Sequence, residues 1–88
     1  DIMALGVYDE LEGRALKCGK DISIVGFDDM PFADKFSPPL TTVHTPMISI
    51  GTEAARILID KINNNSIPAR TIKLKPELIV RKSTGPVR

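Results

Sequence analysis

The chain has 88 residues, of which 42% are hydrophobic and 26% charged, and its formal net charge is +1. This composition is typical of a small globular domain. The near-zero charge, without a run of Lys or Arg, gives no electrostatic reason to expect nucleic acid or a membrane surface as the partner of this segment.

No apolar stretch is long enough to span a bilayer, and no signal peptide opens the chain. The single cysteine, Cys18, excludes an internal disulfide and agrees with a reducing compartment. We therefore expect a folded, soluble, cytoplasmic protein. The chain enters a helical pattern directly after Asp1 and has few strand patterns for a parallel sheet, so it reads as the end of a longer protein.

A first helix is predicted over residues 2–11, with Asp1 as its N-cap. Its apolar residues recur at helical spacing but form a stripe wider than one contact with a sheet requires. They are Met3, Leu5, Val7, Tyr8 and Leu11. A second surface, such as another subunit, would explain the width at Leu5 and Tyr8, and ordinary core packing is the alternative.

Residues 22–27 form a short apolar, β-branched run, which predicts a strand buried on both faces of an open parallel sheet. Ligands of such sheets bind outside the carboxyl ends of the strands. Asp28 and Asp29 follow that end, where a carboxylate can accept hydrogen bonds from a hydroxyl or amine of a ligand. The alternative is that the two residues start the next loop, because Asp favours turns.

The second half of the chain predicts one helix and three strands. Thr45 and Pro46 open the helix over residues 47–63 as capping residue and first helical position. The predicted strands are residues 40–43, 71–74 and 78–80, followed by a basic, solvated terminus at residues 81–88. Before them, Phe32 and Phe36 are spaced to share one side of a helical turn.

The residues do not predict catalysis. No nucleophile is accompanied by a base and an orienting acid, and the chain has neither a Gly-rich phosphate loop nor a Cys or His cluster. His44, the only histidine, has no metal-ligand spacing around it. We therefore expect no enzyme activity, no metal site and no cofactor, which leaves binding as the function.

Five motifs follow one another along the chain: residues 1–6 (DIMALG), 21–29 (DISIVGFDD), 39–43 (PLTTV), 50–55 (IGTEAA) and 78–84 (LIVRKST). In this order and spacing they resemble the lactose/galactose repressor family of bacterial transcriptional regulators. The resemblance covers nearly the whole chain. It implies the carboxyl-terminal part of an effector-binding core, with an α/β fold like that of periplasmic binding proteins and lobes built on doubly wound parallel sheets.

The resemblance also implies roles for single residues. Asp28 matches the family's effector-contacting carboxylate, and Asp29 follows it as a second candidate ligand-binding residue. Leu5, Tyr8 and Phe36 fall where relatives pack two subunits together, which implies a homodimer. The implied partners are a small-molecule effector, either a sugar or a nucleobase, and operator DNA bound through a helix-turn-helix domain that these residues do not include.

The family's topology assigns the chain to two lobes. Residues 1–45 and 77–88 would belong to the carboxyl-terminal lobe, and residues 46–76 would be a segment of the amino-terminal lobe. The expected function is effector binding and dimerisation in a repressor. The alternative is a periplasmic solute-binding protein of the same architecture, which a signal peptide in place of a helix-turn-helix domain would distinguish.

Overall fold

A computed structural model describes residues 1–87 of the chain. In chain order its elements are α1 (Ile2–Gly13), a 3₁₀ turn (Ala33–Lys35), β1 (Thr42–His44), α2 (Met47–Asn63) and β2 (Glu77–Ile79). The chain divides into two compact units. One joins Asp1–Thr45 to the stretch from Glu77 onwards, and the other is Pro46–Pro76.

Helix α1 begins where the sequence predicts and continues to Gly13, two residues beyond the predicted end. Ala4 and Leu11 are its buried residues. They lie seven positions apart and therefore share one face of the helix. Several other residues of the predicted apolar stripe, such as Leu5, remain exposed. Only part of that stripe therefore belongs to the core of this unit.

The core of the first unit is a small apolar cluster. It consists of Ala4, Leu11, Ile24, Ala33 and Leu40, with Tyr8, Cys18 and Phe36 packed against it. Leu40 is fully buried and is the largest apolar side chain among the completely enclosed residues of the described chain. Helix α1 and the extended segments at residues 22–28 and 40–44 are therefore held together through this cluster.

Residues 22–28 run parallel to residues 41–44, as predicted for a parallel sheet, but the pairing consists of isolated bridges rather than a continuous strand. Alternate backbone N–H groups from residue 24 onwards donate to the neighbouring segments. The bonds are Ile24 N to Ser83 O at 2.9 Å, Gly26 N to Thr41 O at 2.8 Å and Asp28 N to Val43 O at 2.9 Å. This alternation fixes which side chains face the core.

The predicted burial of this segment on both faces is wrong. Ile24 is 9% exposed and lies in the core, but Val25 and Phe27 are 57% and 56% exposed. Successive side chains of an extended segment point to opposite faces. In this chain the core covers the face that carries Ile24, and the apolar composition of the run did not reveal that difference.

Strands β1 and β2 form an antiparallel pair, in the register Thr42 with Ile79, Val43 with Leu78 and His44 with Glu77. Both strands lie within one or two residues of their predicted positions. The regular pairing of the described residues is thus antiparallel, and the parallel arrangement expected from the sequence is confined to isolated bridges. The last pair, His44 with Glu77, lies at the boundary of the first unit, which ends at Thr45 and resumes at Glu77.

The stretch after β2 is only in part the solvated terminus that the sequence predicted, because Lys82 and residues 85–87 are exposed but Ser83 is not. Ser83 is completely buried. Its hydroxyl donates to the carbonyl oxygen of Ile24 at 2.6 Å and accepts from the backbone nitrogen of Thr41 at 2.8 Å. Ser83 therefore also joins the two parallel segments, next to their bridge at Val25 and Thr41. Arg88, the last residue of the predicted terminus, lies outside the described residues.

In the second unit, α2 has the predicted bounds, but its start differs in detail. Pro46 is the N-cap rather than the first helical residue. The hydroxyl of Thr45, which the sequence predicted to cap the helix, is buried and has no hydrogen-bond partner among residues 1–87. The predicted strand at residues 71–74 is wrong, because this stretch has no regular secondary structure.

The apolar face of α2 is open to solvent within its own unit. No residue of the helix is buried. Its large apolar side chains are 48–87% exposed, with the exception of Ile57. The chain returns along the end of the helix, where Lys61 Nζ donates to the carbonyl oxygens of Asn65 at 2.9 Å and Ile67 at 2.7 Å. The helix thus has a defined end but an uncovered apolar face.

Candidate functional site

The two predicted ligand-binding carboxylates lie on a turn, residues 28–30, which we call the strand-end turn. Both acidic residues have positive φ, with values of 105° for Asp28 and 54° for Asp29. A non-glycine residue in this region costs about 1–3 kcal/mol and persists only where its surroundings enforce the conformation. Such backbone strain concentrates at functional sites. The turn is therefore a strong candidate for a site.

The carboxylate of Asp29 is held by two side chains, the guanidinium of Arg81 and the imidazole of His44. Arg81 Nη2 donates to Asp29 Oδ1 at 2.8 Å, and His44 Nδ1 lies 2.9 Å from Asp29 Oδ2. The Asp29 and Arg81 side chains are 17% and 20% exposed, so solvent screens this pair only in part. Both oxygens of Asp29 are therefore already engaged within the chain.

Arg81 connects Asp29 to the parallel segment beneath the turn. Its Nη1 donates to the carbonyl oxygen of Leu40 at 2.8 Å, and its backbone nitrogen donates to Thr41 Oγ1 at 2.9 Å. The hydrogen bond from Arg81, followed in importance by that from His44, lowers the pKa of Asp29 below its ordinary value despite partial burial. Asp29 is thus an ionised anchor.

Asp28 differs from its neighbour. Its backbone nitrogen is bonded to Val43, but within residues 1–87 no hydrogen bond or ion pair occupies its carboxylate, and the residue is half-buried. A free carboxylate on a fixed turn can accept two hydrogen bonds from a polar ligand. Of the two predicted residues, Asp28 therefore has the geometry of a ligand contact, while Asp29 has that of a support for the turn.

An apolar groove of about 470 Å³ lies beside the turn. It is formed by the first two turns of α1 and the exposed side of residues 24–27, with Asp1 at one end. Its lining stops at Phe27, and Asp28 is not part of it. A separate cleft of about 500 Å³ is lined by residues of α1 and the connection after it, including Tyr8 and Cys18.

Of the three residues predicted for a subunit interface, Tyr8 and Phe36 contact each other, and Leu5 lies one turn before Tyr8 on α1. Tyr8 and Phe36 pack edge to face with ring centroids 4.8 Å apart, and Phe36 stacks on Phe32 at 5.8 Å, as the sequence predicted for one side of a turn. The Tyr8 hydroxyl donates to the carbonyl oxygen of Pro38 at 2.8 Å. Burial raises the pKa of Tyr8, so the hydroxyl stays a donor. Leu5, 49% exposed, is free for an external contact.

Sequence reasoning missed Arg81 and His44 as parts of this site. Arg81 lies 52 residues from Asp29 along the chain, and His44 lies 15 residues away. Among residues 1–87, no group of three or more His, Cys, Asp or Glu side chains is arranged to hold a metal ion. In the same part of the chain, no helix is long and apolar enough to cross a membrane.

Replacing Asp29 by Asn is expected to lower the free energy of unfolding by about 1–3 kcal/mol near pH 6, because a charge-assisted bond to Arg81 is lost. Asn tolerates positive φ, so the turn itself remains accessible. Since folding lowers the pKa of Asp29, its contribution to stability is full above the unfolded pKa of about 3.8 and is lost as the pH falls from there through the lower pKa of the folded state. Urea denaturation at pH 6 and pH 3 measures the difference.

The matched control for this change is Asp34→Asn, at an exposed position of the 3₁₀ turn. The difference in the free energy of unfolding between the wild type and Asp29→Asn should become smaller towards pH 3. The difference between the wild type and the control should not change comparably. If the wild type and Asp29→Asn differ in the free energy of unfolding by the same amount at both pH values, the ion pair between Asp29 and Arg81 is not formed in solution.

Comparison with known proteins gives a consistent set of matches. A model of the periplasmic binding protein-like domain matches residues 1–84. The chain is 40% identical over 83 residues to the HTH-type transcriptional repressor PurR of Vibrio campbellii and 41% identical over 81 residues to that of Vibrio vulnificus. These matches cover 94% and 92% of the chain but only 25% and 24% of the relatives, so the chain spans about a quarter of their length.

Solved structures also match over nearly the whole chain, among them the following two. A LacI family transcriptional regulator from Enterococcus faecalis with bound ribose has a TM-score of 0.95 and 33% identity, covering 100% of this chain and 33% of that one. The lac repressor dimer bound to operator and the anti-inducer ONPF has a TM-score of 0.87 and 30% identity, covering 98% and 30%.

Proposed function

Because the chain belongs to the periplasmic binding protein-like domain family, in the branch of the lactose/galactose repressors, we propose that it forms part of the effector-binding core of a transcriptional regulator. The observation that carries this proposal is the strand-end turn, where Asp28 has a free carboxylate on a backbone of fixed, positive φ. The ligand of this site is a small polar molecule, a sugar or a nucleobase, that offers hydroxyl or amine donors.

The two compact units support an assignment to two lobes. We assign the unit that contains Asp28 to the carboxyl-terminal lobe and Pro46–Pro76 to the amino-terminal lobe. The uncovered apolar side chains of α2, such as Ile48 at 87% and Ile62 at 68% exposure, agree with a helix that packs on further parts of a larger lobe. The whole regulator would contain a DNA-binding domain outside this chain and act in the cytoplasm.

Regulation follows from linkage between two binding reactions. An effector that binds one arrangement of the lobes more tightly than another shifts the population towards it. If that arrangement has a different affinity for operator DNA, then effector and operator must influence each other by the same factor. No catalytic step is needed, and we propose none. Transport is the competing role, but the relatives and structures matched above carry the names of regulators.

The test uses the full-length protein with D-ribose, cellobiose, hypoxanthine and guanine in a thermal-shift panel. A compound that binds only the native state at a hundredfold excess over its Kd should raise the Tm by roughly 5–10 °C. The same compound should change the affinity for an operator duplex, selected from a random pool with this protein, in a fluorescence-polarisation assay.

L-ribose at equal concentration serves as the control, since it has the same composition but the opposite handedness. Stabilisation by a sugar without any change in operator affinity would contradict a regulator and favour a solute-binding protein. Failure to select any DNA duplex from the pool would contradict the regulator as well.

A further inference from the structure

Asp1 occupies the N-cap position of α1, yet its side chain makes no capping hydrogen bond. A free N-cap carboxylate would ordinarily accept from the backbone of the first helical turn. Here Oδ2 of Asp1 accepts instead from the backbone nitrogen of Met30 at 2.6 Å, and Oδ1 accepts from Thr42 Oγ1 at 2.7 Å. The carboxylate is thus directed away from its own helix and towards the strand-end turn.

Thr42 extends this contact to a second backbone amide. Its side chain is completely buried, and its Oγ1 accepts from the backbone nitrogen of Asp29 at 3.3 Å while donating to Asp1. One carboxylate therefore holds two successive amides of the turn, that of Met30 directly and that of Asp29 through a hydroxyl. Such a chain of bonds in a partly buried site is stronger than its members alone.

The neighbouring backbone makes room for this carboxylate. A Cβ atom on Gly26 would collide with Oδ1 of Asp1 and would lie 2.8 Å from a methyl group of Leu40. Glycine permits this close approach because it has no side chain. Asp1 and Gly26 together therefore place a charge beneath the turn.

We infer that Asp1 is a positioning residue for effector binding: its carboxylate holds the strand-end turn in the positive-φ conformation that presents Asp28 to the ligand. The inference rests on the proposed function, in which Asp28 contacts the effector. The backbone of Asp28 and Asp29 is strained, so it needs an external restraint. The bonds to Asp29 and Met30 supply it immediately after Asp28 in the chain.

The first test needs no ligand. Asp1→Asn in the full-length protein keeps a good N-cap residue but replaces one acceptor oxygen with a donor amide. Hydrogen exchange, followed by mass spectrometry, should be about tenfold faster in a peptide that contains the amides of Asp29 and Met30, and unchanged in α1. Asp9→Asn, an exposed change on the same helix, is the control and should alter neither peptide.

The second test separates positioning from mere stabilisation. Affinity for D-ribose, and for hypoxanthine in parallel, is measured by calorimetry in a double-mutant cycle with Asp28→Asn. Asp1→Asn should weaken binding about tenfold on the wild-type background and less than about twofold in the Asp28→Asn background, because it acts through Asp28. Equal losses on both backgrounds, or unchanged amide exchange in the turn, would overturn the inference.

The outcomes distinguish this inference from the proposal on which it rests. If Asp28→Asn itself leaves both affinities unchanged, the assignment of Asp28 as a ligand contact fails, and the positioning role fails with it. If Asp28→Asn weakens binding but Asp1→Asn changes neither binding nor exchange, only the role of Asp1 is wrong.

Discussion

Replacing Asp28 by Asn in the full-length protein is expected to weaken binding of the proposed effector by about 10- to 100-fold, because each hydrogen bond to a charged acceptor is worth about 1.5–3 kcal/mol. The Asp28 carboxylate is free within residues 1–87, so the substitution removes no contact of the described fold. Asn also adopts positive φ more readily than most residues, and φ at this position is 105°. Calorimetry with the compound that stabilises the protein most in the thermal-shift panel measures the loss.

The control is again Asp34→Asn, which makes the same change of charge at an exposed position. Thermal denaturation without effector and the sedimentation coefficient should match those of the wild type for both variants. An effector affinity within twofold of the wild type for Asp28→Asn would show that the ligand is held elsewhere.

Replacing Leu5 by Asp is expected to weaken the homodimer that the family resemblance implies by at least about 100-fold, since burying an unpaired charge in an apolar interface costs several kcal/mol. A two-fold symmetric interface contains the substitution twice, which doubles its effect. Leu5 is 49% exposed within its own unit, so we expect the subunit to remain folded. Sedimentation velocity over a range of micromolar concentrations measures the equilibrium between dimer and monomer.

Gly13→Asp provides the control, because it adds the same charge to the other end of α1, at a position surrounded by open space. Circular dichroism and the Tm at low protein concentration report whether the subunit stays folded. If the Leu5→Asp protein sediments as an unchanged dimer, Leu5 is not part of the interface. The assignment of Tyr8 and Phe36 to the same interface would then fail as well.

The helices were predicted well because their signals are local. The bounds of α2 follow from a 3.6-residue apolar period between Pro46 and the asparagines that begin at Asn63. Periodicity also assigned its apolar face, but not what covers that face. Whether the apolar face of α2 is buried depends on which other residues pack against it. Within the second unit few residues do so.

Strands were predicted less accurately than helices, for a physical reason. An apolar, β-branched run such as residues 22–27 shows that burial is favourable, but not how many neighbouring segments are present to provide it. Val25 and Phe27 are exposed for that reason. The alternation at residues 71–74 satisfied the pattern of a strand, yet among residues 1–87 this stretch has no pairing partner that would make it one.

The candidate site was half predictable. Asp28 follows from the rule that ligands bind at the carboxyl ends of parallel strands. The sequence does not show that Asp29 supports the turn while the Asp28 carboxylate stays free, because this difference depends on Arg81, which lies 52 residues from Asp29. The preference of Asp for N-caps likewise predicted a local role for Asp1, and a tertiary contact with Met30 replaced it.

The burial of Ser83 determines how far the carboxyl end can be shortened. Its hydroxyl joins the two parallel segments of the first unit, through Ile24 in one and Thr41 in the other. Removing the chain from Arg81 onwards would leave a buried amide and a buried carbonyl without partners and Asp29 without its guanidinium. An affinity tag or a fluorescent fusion partner should therefore be attached after Gly85, because a shorter chain would lose the contacts that hold the segment before Asp28.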